Sequence, residues 1–228
     1  MSENLVFPRT ASPTLSIAGS DKGFPVRRVW CVGRNYAAHV REMGNDEREP
    51  PFFFAKHGDM VVAGGGAIRY PSLTKDLHFE VELVVAIKGS GENLSVADAA
   101  SLIFGYGVGI DFTRRDLQKL CQEKGKSWEI AKSFEQAAPV SPLIQRGDVL
   151  PASRITLSVN GQTKQDSTTG HMIWSIPEVI SKLSEQVALA PGDIIFTGTP
   201  AGVGPVVRGD RIEAHVDGLE PLRIEITT

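Results

Sequence analysis

Three acidic residues near two predicted strands have the chemistry of metal ligands. Glu80 and Glu82 lie in the segment 76–83 (DLHFEVEL), and Asp111 follows the glycine-rich apolar segment 104–110. Successive side chains of a strand point to opposite faces, so Glu80 and Glu82 project to the same side. Carboxylate oxygens suit hard cations such as Mg²⁺ and Mn²⁺, whereas zinc favours histidine and cysteine. The pattern therefore favours a Mg²⁺ or Mn²⁺ site.

The same alternation also describes the solvent-facing side of an antiparallel strand. The run 83–87 that follows is continuously apolar, which indicates a strand covered on both faces and glutamates that point inward. Adjacent buried carboxylates need a compensating cation or proton, and no lysine or arginine lies between Asp76 and Ile87. On the strand pattern alone, a metal site and a solvent-facing strand both remain open.

A histidine and a glutamate on a predicted short helix form a possible acid–base pair. His39 and Glu42 are three residues apart in the segment 36–43, so they share a helix face. A carboxylate that accepts one ring N–H raises the basicity of the other nitrogen, which can then take a proton from water. The alternative is a solvated surface contact.

Two further segments have weaker signals. Lys132 interrupts small and apolar residues in 131–134 (AKSF), where its ammonium could stabilise a developing oxyanion; the alternative is a surface lysine. The glycine-rich bend 197–204 (TGTPAGVG) could present backbone N–H groups to an anion. It lacks the Gly-Lys-Ser/Thr ending of a P-loop, so nucleotide binding is not expected and an ordinary tight loop is the alternative.

The elements that position these residues are mostly strands. Hydrophobic patterns and turn residues predict strands over 26–32, 52–56, 60–63 and 67–70 and helices over 96–104, 113–122 and 176–184. Thr113 and Asp116 resemble a capping box that opens the second of these helices. Asn160-Gly161 and Asp217-Gly218 are hairpin signals, so the rest of the chain should be β structure.

Composition restricts the class of protein. The 228 residues, 41% of them hydrophobic, can bury the core of one domain over 26–228, preceded by an arm or hairpin over 1–25. The net charge of −3 includes no concentrated basic stretch, so nucleic acid is not an expected partner. The sequence has neither a secretion signal nor an apolar run of membrane-spanning length, and its two cysteines fit reduced thiols. We expect a cytoplasmic protein without a membrane partner.

Five segments, taken together and in order, resemble the fumarylacetoacetate hydrolase family, and its small acylpyruvase and fumarylpyruvate hydrolase branch in particular. They are 32–39 (VGRNYAAH), 78–82 (HFEVE), 109–118 (GIDFTRRDLQ), 131–134 (AKSF) and 197–204 (TGTPAGVG). The resemblance implies a mainly β fold with short helices, the mixed β-roll of the C-terminal domain type of that family. It also implies a homodimer.

The resemblance also assigns roles to residues. It implies Mg²⁺ or Mn²⁺ on Glu80, Glu82 and Asp111. His39 and Glu42 become the pair that activates water, and Lys132 becomes the stabiliser of the oxyanion. The residues expected to contact substrate are Arg34, Arg115, Gln118 and Thr199.

The activity that the resemblance implies is metal-dependent hydrolysis of the carbon–carbon bond of an acylpyruvate. The expected reaction converts fumarylpyruvate to fumarate and pyruvate in the gentisate branch of aromatic catabolism. The far carboxylate of that substrate needs a cation, which Arg34 or Arg115 could supply. Fumarylacetoacetate itself is not expected, because the short arm cannot provide the additional N-terminal domain of the enzymes that act on it.

The sequence is also compatible with three other hypotheses of function. They are oxaloacetate decarboxylation, isomerase or hydratase reactions on 2-oxo dienoic acids, and a non-catalytic β module stabilised by a metal. The role of His78, which shares the face of Glu80 and Glu82, also stays open between ligation, support of a ligand and lining of the pocket.

Overall fold

The computed structural model of the chain describes residues 5–8, 11–36 and 49–228. Numbered in chain order, the strands up to residue 110 are β1 (Thr14–Ser16), β2 (Gly23–Pro25), β3 (Arg28–Gly33), β4 (Phe52–Lys56), β5 (Val61–Ala63), β6 (Gly65–Arg69), β7 (Leu77–Phe79), β8 (Val81–Ile87) and β9 (Ile103–Ile110). The later strands are β10 (Thr113–Arg114), β11 (Ala138–Val140), β12 (Ile144–Gln145), β13 (Arg154–Val159), β14 (Gln162–Thr168), β15 (Asp193–Phe196), β16 (Gly204–Val206), β17 (Arg211–Val216) and β18 (Leu222–Thr227). The α-helices of the described residues are α1 (Val96–Ser101), α2 (Arg115–Glu123), α3 (Glu129–Lys132) and α4 (Ile176–Ser184).

Two larger sheets contain most of these strands. The first has the order β4-β3-β15-β8-β9-β11-β5, with β12 also paired to β9, and the second has the order β14-β13-β17-β18-β6. Smaller sheets are formed by β10-β7-β16 and by β1-β2. The pairs β3–β15, β5–β11 and β6–β18 are parallel and the other pairs are antiparallel. This curled, mixed and mainly β architecture confirms the predicted fold class.

Strand β8 lies between two hydrophobic cores. All of its residues are buried, as the continuous apolar run predicted. Leu83, Val85 and Ile87 belong to the core that extends to the second sheet, whereas Val84 and Ala86 belong to the other core. Because side chains alternate along the strand, Glu82 projects to the same side as Val84 and Ala86. A carboxylate is thus placed at the end of an apolar layer.

The glycines of β9 allow the sheet to pack closely around this region. Gly109 pairs with Glu82 in the register of β8 and β9. A Cβ atom at Gly109 would lie 2.6 Å from side-chain carbons of both Phe196 and Val84. Any larger residue would therefore require the side chains of Phe196 and Val84 to move.

The helix boundaries differ in part from the predicted ones. The helix predicted over 176–184 has the bounds of α4, but the one predicted over 96–104 ends at Ser101 because the following residues pair in β9. The capping box predicted from Thr113 and Asp116 is wrong. Thr113 lies in β10, and its hydroxyl donates to Glu80 at 3.1 Å. The helix predicted over 36–43 lies outside the described residues, apart from Tyr36.

The hairpin of β1 and β2 packs on the first sheet. Leu15 and Phe24 are buried together with Val29 and Cys31 of β3 in one core. The division into an arm over 1–25 and one domain over 26–228 stays a prediction. None of the helices that the structure describes is long and apolar enough to cross a membrane.

Asp193 fixes the start of β15, the strand that leads to the loop at residue 197. Its fully buried carboxylate accepts hydrogen bonds from Arg27 and from Arg28, the closest at 2.7 Å, and from the backbone N–H of Ala190 at 3.1 Å. Asp193→Asn leaves both guanidinium groups without their carboxylate. Since these groups are partly exposed, we expect the free energy of unfolding to fall by about 1 to 3 kcal/mol in urea denaturation.

The matched control is Asp166→Asn, which breaks an exposed ion pair with Arg154. It should change the unfolding midpoint little. Equal midpoints for the two variants would contradict an anchoring role for Asp193.

Candidate metal centre and active site

The pairing of β8 with β9 brings the three predicted carboxylates together. Glu80 precedes β8, Glu82 lies in β8 and Asp111 follows β9, and the Asp111 backbone N–H donates to the Glu80 carbonyl at 2.9 Å. One ligand oxygen of each residue lies within 4.8 Å of the others, and all three residues are buried. The solvent-facing alternative for Glu80 and Glu82 is therefore excluded.

The electrostatics of the cluster fit a bound cation. Burial, together with the negative charges of Asp111 and Glu80, raises the pKa of Glu82. Asp111 Oδ1 is buried and accepts no hydrogen bond from the described residues. Glu82 has no ion-pair partner among the described residues, and a donor set made only of carboxylate oxygens suits a hard divalent ion such as Mg²⁺ or Mn²⁺.

Basic residues from other elements compensate much of the negative charge of the carboxylates. This corrects the inference that, without a lysine or arginine nearby in sequence, the carboxylates need a metal ion. Lys132 Nζ at the end of α3 lies 2.8 Å from Glu80 Oε2 and 2.6 Å from Asp111 Oδ2. Burial would lower the pKa of Lys132, but the two carboxylates outweigh it and raise that pKa. Although burial favours a raised pKa of Glu80, the charges of Lys132 and Arg115 hold it well below its usual range. The absence of basic residues near Glu80 in sequence was therefore not evidence for a metal.

Lys56 is a member of the site that the sequence analysis missed. It ends β4, is 2% exposed, and its Nζ lies 2.8 Å from Asp111 Oδ1. The only sequence signal was a lysine that closes an apolar strand of three phenylalanines and an alanine. Such a lysine is more often assigned to the solvent edge of a strand.

The Arg115 guanidinium donates hydrogen bonds to three side chains. It donates to Glu80, to Gln118 Oε1 at 2.5 Å and to His78 Nδ1 at 3.4 Å. The other ring nitrogen of His78 lies 2.9 Å from Asp76 Oδ1. With both nitrogens occupied, His78 supports Arg115 and is not a member of the carboxylate cluster, which answers the question that the sequence left open.

The glycine-rich loop after β15 presents a backbone N–H to one carboxyl group of the cluster. The backbone N–H of Gly198 donates to Glu82 Oε2 at 2.7 Å. Gly198 has a φ of 98°, and a Cβ atom there would lie 2.8 Å from Asn35 Cβ. Asn35 in turn donates to the carbonyl of Thr197 at 2.8 Å. Glycine is thus required both by the backbone conformation and by the close approach of Asn35.

The three carboxylates, Lys132 and Arg115 line one cavity of about 300 Å³. Its lining also includes the aromatic side chains of Phe52, Phe54 and Trp128. The predicted site residues that line it are Arg34, Glu80, Glu82, Asp111, Arg115, Gln118, Lys132 and Thr199. His39 and Glu42 lie outside the described residues.

Comparison with known proteins supports what this geometry indicates. Residues 28–227 match the family described as fumarylacetoacetate (FAA) hydrolase C-terminal. The chain belongs to the fumarylacetoacetate hydrolase family. The predicted family resemblance is therefore confirmed.

Members of this family that are similar to the chain have different activities. The chain is 41% identical over 179 residues to a fumarylpyruvate hydrolase from Ralstonia sp, which covers 78% of this chain and 93% of that protein. It is 39% identical over 211 residues to the mitochondrial oxaloacetate tautomerase of Homo sapiens, which covers 89% of this chain and 96% of that protein. The crystal structure of fumarylpyruvate hydrolase from Pseudomonas aeruginosa, in complex with Mn²⁺ and pyruvate, is 47% identical with a TM-score of 0.94 and covers 98% of this chain and 99% of that chain.

Proposed function

We propose that this hydrolase of carbon–carbon bonds acts on acylpyruvates and cleaves fumarylpyruvate to fumarate and pyruvate. The observation that carries the proposal is the cluster of Glu80, Glu82 and Asp111, with the Lys132 ammonium between two of the carboxylates, at the wall of one cavity. The similarity to a fumarylpyruvate hydrolase whose structure contains Mn²⁺ and pyruvate supports it.

The three carboxylates are the residues that would hold a divalent ion, Mg²⁺ or Mn²⁺. Such an ion supplies Lewis-acid stabilisation of negative charge on the oxygens of a 2-oxo acid. Glu82 is fixed by the Gly198 N–H, and Glu80 is fixed by Thr113 and Arg115. These contacts hold the donor oxygens in place before substrate binds.

Lys132 is suited to stabilise the oxygen that becomes negative during hydrolysis. An ammonium has three N–H donors, and Glu80 and Asp111 accept two of them in the structure. The third N–H can donate to the C4 oxygen of the substrate when water attacks. The family resemblance assigns the general-base role to His39 with Glu42, both outside the described residues. The imidazole would take a proton from that water and pass it to C3 of pyruvate as the C3–C4 bond breaks.

The structure favours Arg34 over Arg115 as the cation for the far carboxylate of the substrate. Arg115 already donates to Glu80, Gln118 and His78. Arg34 lines the cavity with its guanidinium 5.7 Å from the ring centre of Phe52, and no described residue accepts a hydrogen bond from it. A planar, conjugated carboxylate such as the fumaryl group fits a site that combines a cation with aromatic rings.

Arg34→Met should therefore change substrate preference. We expect kcat/KM for fumarylpyruvate to fall about 10- to 100-fold, since a charge-assisted hydrogen bond is worth about 1.5 to 3 kcal/mol. The value for acetylpyruvate, which has no far carboxylate, should stay within about threefold. The measurement is the ratio of the two kcat/KM values, with the exposed Arg208→Met as the control. Equal losses on both substrates would contradict this role.

The function is tested by pyruvate release from fumarylpyruvate, acetylpyruvate and oxaloacetate, each with Mg²⁺, Mn²⁺ or EDTA. We expect the highest kcat/KM on fumarylpyruvate and no activity with EDTA. Oxaloacetate chemistry is the second candidate, because a relative of 39% identity is an oxaloacetate tautomerase. Tautomerisation releases no pyruvate, so the enol-to-keto conversion of oxaloacetate is followed separately by ultraviolet absorbance. Conversion of oxaloacetate without pyruvate release from the acylpyruvates would favour that candidate, and no pyruvate release from any of the three acids would contradict the proposal.

Several predictions about the setting of this activity stay proposals. They are the cytoplasmic location, the gentisate pathway and the homodimer. Size-exclusion chromatography with light scattering measures the last of these directly.

A further inference from the structure

Lys56 is a buried cation that contacts one carboxylate and two backbone carbonyls. Its Nζ lies 2.8 Å from Asp111 Oδ1, an ion pair without hydrogen-bond geometry. It also donates to the carbonyl of Phe112 at 3.1 Å and to the carbonyl of Lys132. Lys56 is therefore joined both to a carboxylate of the cluster and to the backbone that follows it.

The two carbonyls that accept from Lys56 lie at the ends of two separate segments. Phe112 directly follows Asp111 after β9, and Lys132 is the last residue of the four-residue helix α3. The last carbonyls of a helix lack partners within it, so a cation at that position satisfies one of them. One ammonium on β4 thus joins the segment that carries Asp111 to the segment that carries Lys132.

Lys56 does not line the cavity, although Asp111 and Lys132 both do. Any effect of Lys56 on catalysis must then pass through these two residues. The two oxygens of Asp111 are approached from different cations, Oδ1 by Lys56 and Oδ2 by Lys132. Loss of Lys56 would leave the carboxylate free to turn toward Lys132 alone.

We propose that Lys56 is a positioning residue that fixes the Asp111 carboxylate relative to the Lys132 ammonium, and so sets the geometry of both metal binding and oxyanion stabilisation. The inference rests on the proposed function. Support of a ligand by a neighbouring group is a general requirement of metal sites, and its loss lowers metal affinity or activity. A lysine that acted only as a counter-charge would have the opposite effect, because its removal leaves a more negative site that binds Mn²⁺ more tightly.

The test measures Mn²⁺ affinity of the metal-free protein, by electron paramagnetic resonance of free Mn²⁺, and kcat and KM for fumarylpyruvate. In Lys56→Met we expect the Kd for Mn²⁺ to rise and kcat to fall, each about 10- to 100-fold, with KM changed less than about threefold. Lys56→Gln keeps a donor in the same polar space and covers the case in which methionine prevents folding. In Lys56→Gln we likewise expect the Kd for Mn²⁺ to rise and kcat to fall.

The matched control is Arg114→Met. Arg114 is a buried cation that donates to a carbonyl of α3, at Ile130, and stacks 4.4 Å from the ring centre of Phe134, which Lys56 also contacts at 5.5 Å. It has no contact with the carboxylate cluster among the described residues, so its loss should lower the melting temperature without changing the Kd for Mn²⁺.

The outcomes separate this inference from the proposed function. If the wild-type protein binds Mn²⁺ and Lys56→Met binds it equally or more tightly with unchanged kcat, the positioning role is wrong and the proposed function stands. Equal weakening of Mn²⁺ binding in Arg114→Met would likewise overturn the role, since it would show a general effect of packing. Absence of Mn²⁺ binding by the wild-type protein would overturn the proposed function and the inference together.

Discussion

Glu82→Gln is expected to abolish pyruvate release from fumarylpyruvate while the metal-free protein keeps its wild-type stability or exceeds it. The glutamine has the same shape and can still accept the hydrogen bond from the Gly198 N–H. Because burial, Asp111 and Glu80 raise the pKa of Glu82, a neutral side chain removes repulsion from the cluster. It also removes one of the three donors expected to hold the ion.

Two measurements check this expectation. The value of kcat/KM should fall about 10³-fold or more, since Lewis-acid stabilisation is worth several kcal/mol, and the Kd for Mn²⁺ should rise by more than about 100-fold. The melting temperature with EDTA should not decrease. The exposed Glu220→Gln serves as the control. Wild-type affinity of Glu82→Gln for Mn²⁺ would exclude Glu82 as a ligand.

Lys132→Met is expected to remove most of the activity and keep the metal site. One oxyanion donor contributes about 3 to 4 kcal/mol, which corresponds to a fall in kcat of about 10²- to 10³-fold. The affinity for Mn²⁺ should be equal to that of the wild type or higher, because the substitution removes a positive charge next to two carboxylates. This distinguishes Lys132 from Lys56, whose loss should weaken Mn²⁺ binding.

A second readout for Lys132→Met is stability with and without metal. Without Lys132, Glu80 and Asp111 lose a buried partner, so the melting temperature of the metal-free variant should fall. Saturating Mn²⁺ should recover part of that loss, since a ligand that binds the folded state stabilises it. The control is Lys22→Met, which replaces an exposed lysine. A kcat within threefold of the wild-type value would show that Lys132 is not the oxyanion donor.

The sequence predicted the local features of the site because these depend on neighbouring residues. The alternation around Glu80 and Glu82 and the apolar run 83–87 indicate a buried strand, and every residue of β8 is buried. The helix 176–184 was predicted with its observed bounds, with Pro177 at a tolerated first-turn position, and the structure adds a capping box of Ser175 and Glu178 at its start. Where strand pairing competes with a local signal, as at Thr113, the local signal fails.

The partners of the buried carboxylates could not be predicted in this way. Lys132 is 52 residues from Glu80 and 21 residues from Asp111 along the chain, and Lys56 is 76 residues from the Lys132 carbonyl. No local pattern indicates these contacts, because they depend on which strands pair and in which register. For the same reason, the sequence assigned no role to Lys56 and could not choose between Arg34 and Arg115.

The sequence by itself determined the mainly β character and the candidate carboxylates, because hydrophobic alternation and residue type act locally, and the resemblance of five segments indicated the family. Only the tertiary structure decided how the charges of the site are balanced. Lys56, Lys132 and Arg115 reach the carboxylates from three different elements, β4, α3 and α2. The interaction of charges depends on their separation in space and on burial, and both are properties of the folded chain.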